Sequence, residues 1–547
     1  MNPTAAGALA GGPDGGTPGG PVGAADGGVA GGPAEAADRG VGGGGPVHAP
    51  HWRVHLPPGM DPAEVDLAAG RTLPGAWAAA WAADPTRPVL AAADGGRVGA
   101  AELADRTAVA AGRYAAAGLE PGDRLVMSAA ASVDLVVAYV AALRYGLTVV
   151  PVNTAYSGPE LAAVVAGAKP ALALLDEADR AAGLELRCCP PDLTGLPAAA
   201  PEPVLDAVRP DDIALVVYTS GTTGQPKGAP LTHANLLASV QAVRVAWRWT
   251  PEDRLALCLP LFHVHGLGVG LHGTLVAGAS AVVLPRFTPA GVAEAVTGHG
   301  VTMFFGVPTM YHRLAESPYL GDLRRLRLAV SGSAPLPAQL HAAVAAGSGQ
   351  QVLERYGMTE TMMLVSNPYA GPRRPGTVGL PLPGVSVRLS PQPGGVAEIE
   401  VRGPNVISGY LDSPEATAAA FTPDGWFRTG DLGVLDDDGY LTISGRAKEL
   451  IITGGYNVYP REVEEVLRSH PGVADAAVVG APSAEWGEAV AAFVVPAAAG
   501  DLELLREQLE EWCAGRLASY KRPRVWRWTE AVPRNPLGKV LRHRLIP

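Results

Sequence analysis

The segment YTSGTTGQPKG, residues 218–228, combines four aliphatic hydroxyl groups, three glycines and one lysine. It follows the apolar run 213–217, which is typical of a buried strand. Glycines let a backbone approach a ligand closely, and the successive N–H groups of such a loop can surround an anion. Lys227 adds a positive charge, so the loop is suited to bind a polyphosphate. It is not a Walker A loop, because the Gly-x-x-x-x-Gly-Lys-Ser/Thr pattern does not fit here.

Seven further segments carry polar or glycine residues that could form a site. Taken singly, each has a plain structural explanation, such as a tight turn, a surface acid or a solvated cation. They are LPLFHVHG at 259–266, VSGSAP at 330–335, ERYGMTE at 354–360, GWFRTGD at 425–431, SGRAKE at 444–449, TGGYNVYP at 453–460 and PRNPLGK at 533–539.

Together with residues 218–228, in this order and spacing, these segments resemble the motifs of adenylate-forming enzymes. That family contains acyl-CoA synthetases, luciferases and peptide-synthetase adenylation domains, and the resemblance spans roughly residues 73–545. It implies an ATP site in which Tyr356 stacks on adenine and Asp431 accepts both ribose hydroxyls, since a carboxylate offers two acceptor oxygens. The implied ATP-binding residues are Thr219, Ser220, Gly221, Thr222, Thr223, Gly224, Lys227, Ser333, Ala334, Pro335, Glu354, Arg355, Tyr356, Gly357, Thr359, Asp431 and Arg446.

The same resemblance implies the catalytic parts. Glu360 would bind Mg²⁺, because a hard cation prefers carboxylate oxygen and a triphosphate needs its charge neutralised. Lys539 would stabilise charge at the α-phosphate while pyrophosphate leaves, and Thr219 would assist from the phosphate loop. Lys448 matches the hinge about which the small domain rotates between adenylation and thioester formation. The implied CoA-binding residues are Gly454, Gly455 and Tyr456.

Two arginines bear on the identity of the acid. Arg355 occupies a position that is small in most relatives, and Arg313 lies at the start of a predicted helix in the segment GVPTMYHR. Burying a guanidinium opposite a fatty tail would cost several kcal/mol, whereas two converging guanidiniums suit a carboxylate. Arg313 could alternatively be an outward-facing helix residue, and His265 could be purely structural. The implied substrate-binding residues are His265, Arg313, Ser333, Arg355 and Met358.

The segments that carry His265, Arg313 and Arg355 look closest to those of malonyl-CoA synthetases. The sequence therefore predicts that ATP and malonate or methylmalonate give an acyl-adenylate, from which CoA displaces AMP. The alternatives are a synthetase for a fatty, aryl or oxalic acid, a stand-alone domain that loads a carrier protein, and a non-catalytic adenylate-binding protein. The last is disfavoured because Lys539 and Glu360 are both present.

Alternating apolar strands and alanine-rich helices must position these segments, which predicts parallel α/β layers. We expect an α/β fold with a large N-terminal domain of two layered sheets and a small β-barrel-like subdomain, followed by a small mobile α+β C-terminal domain. The predicted boundaries are 1–50 for a disordered Gly/Pro/Ala-rich extension, 51–447 for the N-terminal adenylation domain and 448–547 for the C-terminal domain. The extension holds 17 Gly and 7 Pro. It has too few large apolar side chains to offset the entropy lost on ordering.

Bulk properties exclude several other classes. The net charge of −11 and a pI of about 5.6 argue against a nucleic-acid partner. The sequence contains no uninterrupted run of about 18 apolar residues, so we expect no membrane helix. The four cysteines show neither metal-binding nor disulfide spacing, which favours a cytoplasmic protein. The oligomeric state stays open.

Overall fold

The computed structural model describes residues 51–198, 202–220, 226–391, 397–454, 456–483, 485–536 and 538–545. The predicted extension, residues 1–50, lies outside the described residues. None of the helices in the described part is long and apolar enough to cross a bilayer.

Several helices begin at a residue whose side chain caps them. Thr72 Oγ1 accepts a hydrogen bond from the Gly75 N–H at 3.1 Å, and Ser132 Oγ accepts one from the Leu135 N–H at 3.0 Å. Gly146 ends its helix in the left-handed region with φ 95°. The helices are α1 Leu73–Ala83, α2 Ala100–Ala116, α3 Val133–Tyr145, α4 Gly158–Ala168, α5 His233–Ala246, α6 His272–Val276, α7 Pro289–Gly298, α8 Pro308–Ala315, α9 Ala338–Ser348, α10 Pro414–Ala420, α11 Pro460–Arg468 and α12 Leu502–Ala514.

Strands β1–β12 belong to two layered sheets, which β13–β15 extend. The first twelve are β1 Pro88–Ala92, β2 Arg97–Gly99, β3 Arg124–Ser128, β4 Thr148–Pro151, β5 Leu172–Leu175, β6 Cys188–Cys189, β7 Ile213–Ser220, β8 Pro226–Thr232, β9 Arg254–Leu257, β10 Ser280–Val283, β11 Met303–Gly306 and β12 Leu328–Ser331. The remaining strands are β13 Leu353–Met358, β14 Met362–Ser366, β15 Leu380–Pro381, β16 Ser386–Pro391, β17 Ala397–Arg402, β18 Phe427–Leu435, β19 Leu441–Arg446, β20 Ile451–Thr453, β21 Tyr456–Val458, β22 Val473–Ser483, β23 Gly487–Pro496 and β24 Val525–Trp528.

The two large sheets confirm the predicted α/β layers. Among the described residues, one runs β15-β14-β13-β12-β11-β9-β10-β1-β2 and the other β6-β5-β3-β4-β7-β8. Their central strands pair in parallel, while hairpins such as β7–β8 and β13–β14 add antiparallel pairs. Helix α3 contacts β4 of one sheet and β1 of the other, and α5 contacts β8 and β14, so both helices lie between the sheets. Nine residues of α3 are buried, as expected for a helix covered on all sides.

Two smaller sheets follow. Strands β16-β17-β18-β19 form an antiparallel sheet with an open order, at the place where the sequence predicts a β-rich subdomain. Strands β20 to β24 pack with α11 and α12 around a separate apolar core that includes Val463, Leu467 and Val478. The large N-terminal and small C-terminal domains of the predicted fold are thereby confirmed. The predicted boundary at 447/448 falls in the short 3₁₀ helix Ala447–Glu449, between β19 and β20, and the mobility of the small domain stays a prediction.

A buried histidine cluster lies in the N-terminal core. His272 on α6 has no exposed surface, and its Nε2 lies 2.7 Å from the Tyr139 hydroxyl. Burial, and next the charge of His233, lowers the pKa of His272 to about 3. Burial also lowers the pKa of His233 to about 4. Both imidazoles therefore stay neutral in the folded protein under mildly acidic conditions.

Acid should destabilise this domain through these histidines. Below about pH 6.5 the unfolded chain gains a proton at His272 that the folded chain does not bind until about pH 3, so stability falls as pH decreases. Because pH 5 lies about 1.5 units below the unfolded pKa, the wild type should lose about 2 kcal/mol of stability through His272 between pH 7.5 and pH 5. His272→Gln lacks this loss, so the difference in unfolding free energy between the wild type and the variant should be about 2 kcal/mol smaller at pH 5 than at pH 7.5. Urea unfolding at both pH values measures this, with His312→Gln at an exposed position as control. An unchanged difference would contradict the prediction.

Candidate active site

The phosphate-binding segment predicted from the sequence is a β-hairpin at the carboxyl end of β7. Thr219 pairs with Lys227 across the β7–β8 ladder, so the two ends of the loop are fixed by backbone hydrogen bonds. Residues Gly221, Thr222, Thr223 and Gly224 lie outside the described residues, and so does the side chain of Ser220. Carboxyl ends of parallel strands are where open α/β sheets bind ligands, and the segments after β11, β12 and β13 of the other sheet carry further predicted site residues.

The turn after β13 fixes Glu360. A bulge at Gly357 brings the chain so close to β14 that a Cβ there would lie 2.0 Å from the Met362 carbonyl oxygen. Thr359, half-buried, stands in the turn between the two strands. The Glu360 side chain is buried, and its Oε1 accepts a hydrogen bond from the Tyr410 hydroxyl at 3.0 Å. Only glycine permits this close approach, so the turn depends on Gly357.

Glu360 is a suitable partner for a magnesium ion carried by a nucleotide. Among the described residues no group of three or more His, Cys, Asp or Glu could form a closed metal site. Mg²⁺ on triphosphates is usually held by one or two carboxylates together with phosphate oxygens and waters. A single buried carboxylate near the phosphate hairpin fits that arrangement.

The predicted ribose ligand lies in a hydrogen-bonded cluster. Asp431 is buried, its Oδ2 accepts from the Tyr356 hydroxyl at 2.5 Å, and its Oδ1 lies 3.0 Å from Arg446 Nε. The Asp431 charge raises the pKa of Arg446, and burial followed by that same charge raises the pKa of Tyr356. Asp431 and Arg446 face each other across β18 and β19. The structure thus brings together three residues predicted for the nucleoside end of ATP.

Glu354 joins two backbone segments through its buried carboxylate. Its two carboxylate oxygens accept hydrogen bonds from the Leu336 N–H at 3.1 Å and the Gly376 N–H at 3.2 Å. Burial raises its pKa to about 7. Both oxygens accept from backbone amides, so Glu354 supports the local chain, and its role as an ATP ligand stays a prediction. Glu354 holds the chain just after Ser333, Ala334 and Pro335, the predicted adenine shelf.

Arg355 points to the other side of β13. The residue is 6% exposed, and its Nε and Nη2 have no hydrogen-bond partner among the described residues. Burial lowers its pKa to about 9, which still leaves the guanidinium charged at neutral pH. A Cβ at Gly332 would lie 2.4 Å from Arg355 Cζ, so the guanidinium occupies the space that a side chain at residue 332 would need.

Two histidines lie beside Arg355. His265 is buried, its Nδ1 is 3.3 Å from Ser333 Oγ, and its Nε2 has no partner among the described residues. His263 Nδ1 accepts a hydrogen bond from the His265 N–H at 3.1 Å. Burial and then the Arg355 charge lower the pKa values of both, that of His263 to about 3. This cluster of Arg355, His263 and His265 therefore contains one cation and two neutral imidazoles.

Arg313 is placed differently from Arg355. It is exposed on α8, and its guanidinium lies 5.2 Å from the Phe287 ring centre. The argument from burial cost therefore applies to Arg355 alone, and the exposure of Arg313 fits the alternative of an outward-facing helix residue. Met358, half-buried at the end of β13, packs against the main core.

The C-terminal domain places Lys539 against this site. A Cβ at Gly538 would lie 3.0 Å from Thr309 Cγ2, so the lysine loop touches the start of α8. The surrounding protein and then the Arg446 charge lower the pKa of Lys539, although the side chain stays open to water. The Lys539 charge also contributes to the lowered pKa of His263. Lys539 thus lies near both the nucleoside cluster and the histidine pocket.

The hinge and CoA segments complete the predicted set. Lys448 is exposed, and its pKa is lowered by the surrounding protein and then by Arg446 and Lys227. Gly454, with φ 56°, and Tyr456 lie at the β20–β21 hairpin, and Tyr456 is exposed with its ring 4.6 Å from that of Tyr520. Gly455 lies outside the described residues.

Comparison with known proteins agrees with this architecture. The AMP-binding enzyme family matches residues 77–411, and the AMP-binding enzyme C-terminal domain matches residues 462–539. The chain belongs to the AMP-binding enzyme family. Its fold and the sequence resemblance to adenylate-forming enzymes are thereby confirmed.

Several members of the AMP-binding enzyme family are similar over most of this chain. Sulfoacetate–CoA ligase of Cupriavidus necator is 39% identical over 497 residues, which is 86% of this chain and 96% of that enzyme. A mitochondrial malonate–CoA ligase of Mus musculus is 40% identical over 386 residues, and the aligned part is 63% of this chain and 66% of that enzyme. The crystal structure of ATP-bound MatB from Rhodopseudomonas palustris superposes with TM-score 0.80 at 38% identity, covering 87% of this chain and 98% of that one.

These relatives establish the class of reaction. The chain is an AMP-forming acid–CoA ligase, as predicted, and its co-substrates are ATP and CoA. The roles of individual residues in this AMP-binding enzyme stay predictions that the geometry above supports or corrects.

Three contributors were missed by sequence reasoning. Gly332 makes room for the Arg355 guanidinium, Phe305 stacks on His265 with ring centres 6.4 Å apart, and Tyr410 contacts Glu360. The motif VSGSAP contains Gly332, but nothing in it signals a contact with Arg355. No motif in the sequence marks Tyr410. Its contact with Glu360 joins residues that are distant in sequence, so only the fold reveals it.

Lys539 should act in adenylation alone if its position in this structure is the catalytic one. We expect Lys539→Ala to abolish acid-dependent pyrophosphate release, because the cation that faces the nucleoside cluster is removed. Conversion of supplied acyl-adenylate and CoA to thioester should be largely retained. The two half-reactions, measured separately, test this, with exposed Lys169→Ala as control. Equal loss of both would show that Lys539 is not specific to adenylation.

Proposed function

We propose that this acid–CoA ligase activates a short dicarboxylate, malonate or methylmalonate. The observation that supports the proposal is the buried Arg355 guanidinium, with Nε and Nη2 unpaired among the described residues. A buried cation without a partner is costly, whereas a carboxylate can accept two parallel hydrogen bonds from it. A substrate with a second carboxylate would provide that partner when bound.

The surroundings of Arg355 favour a polar substrate tail. His265 Nε2 is a second buried polar atom without a partner among the described residues. Its imidazole is neutral, since burial and the Arg355 charge hold its pKa well below the ordinary value. A neutral imidazole can donate to a carboxylate or accept from a hydroxyl without adding charge. A fatty tail would leave both groups unsatisfied.

The reaction follows from the arrangement of the site. One carboxylate of the substrate attacks the α-phosphorus of ATP, the bond to the β-phosphate oxygen breaks, and pyrophosphate leaves with that electron pair. Lys539 stabilises the charge at the α-phosphate, and Asp431 with Arg446 orients the ribose. Glu360 would hold Mg²⁺, which would supply charge neutralisation on the triphosphate.

The second half-reaction uses the same acyl-adenylate. The CoA thiolate attacks the acyl carbonyl and AMP leaves with the electrons of the acyl–phosphate bond. In this structure the C-terminal domain holds the Lys539 loop against the start of α8, beside the proposed site. We therefore propose that the domain rotates at Lys448 before CoA reacts, which would move Lys539 away and bring Gly454 and Tyr456 in.

A sulfonated acid is the second candidate. The sulfoacetate–CoA ligase of Cupriavidus necator aligns over nearly its whole length. A sulfonate is also an anion at the distal end of a short acid, so the Arg355 argument applies to it as well. Pyrophosphate release across malonate, methylmalonate, sulfoacetate, oxalate, butyrate and benzoate ranks these substrates. If butyrate or benzoate gives the highest kcat/KM, the dicarboxylate proposal fails while the ligase class stands.

Arg355 should decide the preference for a distal anion. A charge-assisted hydrogen bond contributes roughly 1.5–3 kcal/mol, so Arg355→Met should lower kcat/KM for malonate about 10- to 150-fold at about 1.4 kcal/mol per decade. Use of butyrate should rise, because the guanidinium that opposes an apolar tail is gone. The KM for ATP should change little.

Arg313→Met tests the second predicted clamp residue. Because Arg313 is exposed, we expect a loss of up to about 5-fold for malonate, the scale of a solvated ion pair. Arg325→Met, an exposed arginine outside the site, is the matched control. If Arg355→Met retains the wild-type ratio of malonate to butyrate kcat/KM, Arg355 does not bind the distal carboxylate.

A further inference from the structure

Tyr410 joins two parts of the site that are far apart in sequence. Its hydroxyl donates a hydrogen bond to Glu360 Oε1 at 3.0 Å. The Lys227 ammonium lies 5.6 Å from the centre of its ring. The same tyrosine therefore contacts the carboxylate after β13 and the lysine of the phosphate hairpin.

The backbone around Tyr410 is attached to the same two parts. The Ile407 N–H donates to the Glu360 carbonyl oxygen at 2.9 Å, and the Leu411 N–H donates to the Gly228 carbonyl oxygen at 2.9 Å. The Tyr410 N–H is held by Thr417 Oγ1, also at 2.9 Å. The segment between Ile407 and Leu411 thus fixes the distance between the phosphate hairpin and the turn that carries Glu360.

We infer that Tyr410 is a positioning residue that orients Glu360 toward the metal and Lys227 toward the triphosphate. The inference rests on the proposed roles of Glu360 as metal ligand and Lys227 as phosphate ligand. It goes beyond them in naming the side chain that sets the direction of both charges.

Tyrosine suits this position because it orients both charges without neutralising either. A phenol hydrogen bond fixes the rotamer of a carboxylate but leaves its negative charge available to a cation. The face of an aromatic ring attracts an ammonium group and likewise leaves its positive charge available. An arginine here would pair with Glu360, and an aspartate would pair with Lys227.

Nearby cations increase the need for such a partner. The surrounding protein, and next the charges of Arg446 and Lys227, lower the pKa of Lys448, so these three cations lie near one another. In the absence of nucleotide these like charges repel one another, and the Tyr410 ring stabilises one of them. Ring and hydroxyl therefore have separable effects, which substitution can distinguish.

The test compares Tyr410→Phe, which removes only the hydroxyl, with Tyr410→Leu, which removes the ring as well. ATP binding is measured by titration calorimetry with Mg²⁺ chelated and then across a Mg²⁺ series. We expect Tyr410→Phe to bind metal-free ATP like the wild type but to need about 10- to 100-fold more Mg²⁺, the usual effect of losing a partner of a metal ligand. Tyr410→Leu should also weaken metal-free ATP binding by about 2- to 5-fold.

A double-variant cycle separates positioning from packing. If Tyr410 acts through Glu360, then Tyr410→Phe should cause no further change in Mg²⁺ dependence when Glu360 is already Gln. Thermal unfolding and circular dichroism, which do not depend on the active site, show whether Tyr410→Phe is folded like the wild type. The matched control is Tyr319→Phe, at an exposed tyrosine outside the site.

Two results would overturn the inference. One is a wild-type Mg²⁺ dependence of ATP binding in Tyr410→Phe. The other is an effect of Tyr410→Phe that persists at full size in the Glu360→Gln background. Neither depends on which acid is the substrate, so failure of the dicarboxylate proposal would leave this inference intact, and the reverse also holds.

Discussion

The alternation of side chains along β13 organises this active site. Successive residues of a strand face opposite sides of the sheet. Glu354 and Tyr356 therefore face the nucleotide side, where one supports the chain after the adenine shelf and the other donates to Asp431. Arg355, between them, packs on Gly332 beside the two histidines. One short strand thus separates the residues predicted for the nucleoside from those proposed to face the acid, and the bulge at its end sets the position of Glu360.

The buried charge of Arg355 has no counter-ion among the described residues. Arg355 is buried with unpaired nitrogens among the described residues, and burial lowers its pKa while leaving it charged at neutral pH. No acid among the described groups is close enough to form an ion pair with it, and the imidazoles beside it are held neutral. An isolated buried charge is unfavourable in a folded protein and is retained where a ligand of opposite charge binds. An acid with a second anionic group would recover this free energy on binding, which is the basis of the proposed substrate preference.

The small domain presents Lys539 on a rigid support. A series of ion pairs connects the segment after the predicted hinge with the loop that carries Lys539. Asp475 accepts from Arg468 at 3.0 Å and from Arg534 at 2.7 Å, and Arg534 donates to the Gly538 carbonyl oxygen at 2.8 Å. Rotation at Lys448 would therefore carry the lysine loop with the rest of the domain. In order, the series consists of Glu449, Arg542, Glu464, Arg468, Asp475 and Arg534.

The sequence by itself determined the family, the α/β layers and the order of the large and small domains, because those depend on local motifs and on the period of apolar residues. The residues assigned to the nucleotide follow from the same motifs and stay predictions. The sequence also singled out Arg355. The tertiary structure alone decided that Glu354 faces backbone amides, that Arg313 is exposed whereas Arg355 is buried, and that Gly332 and Tyr410 belong to the site. These features arise from contacts between segments that are remote in the chain. Side-chain burial and hydrogen-bond partners are set by which strands become neighbours, and no local pattern of residues encodes that.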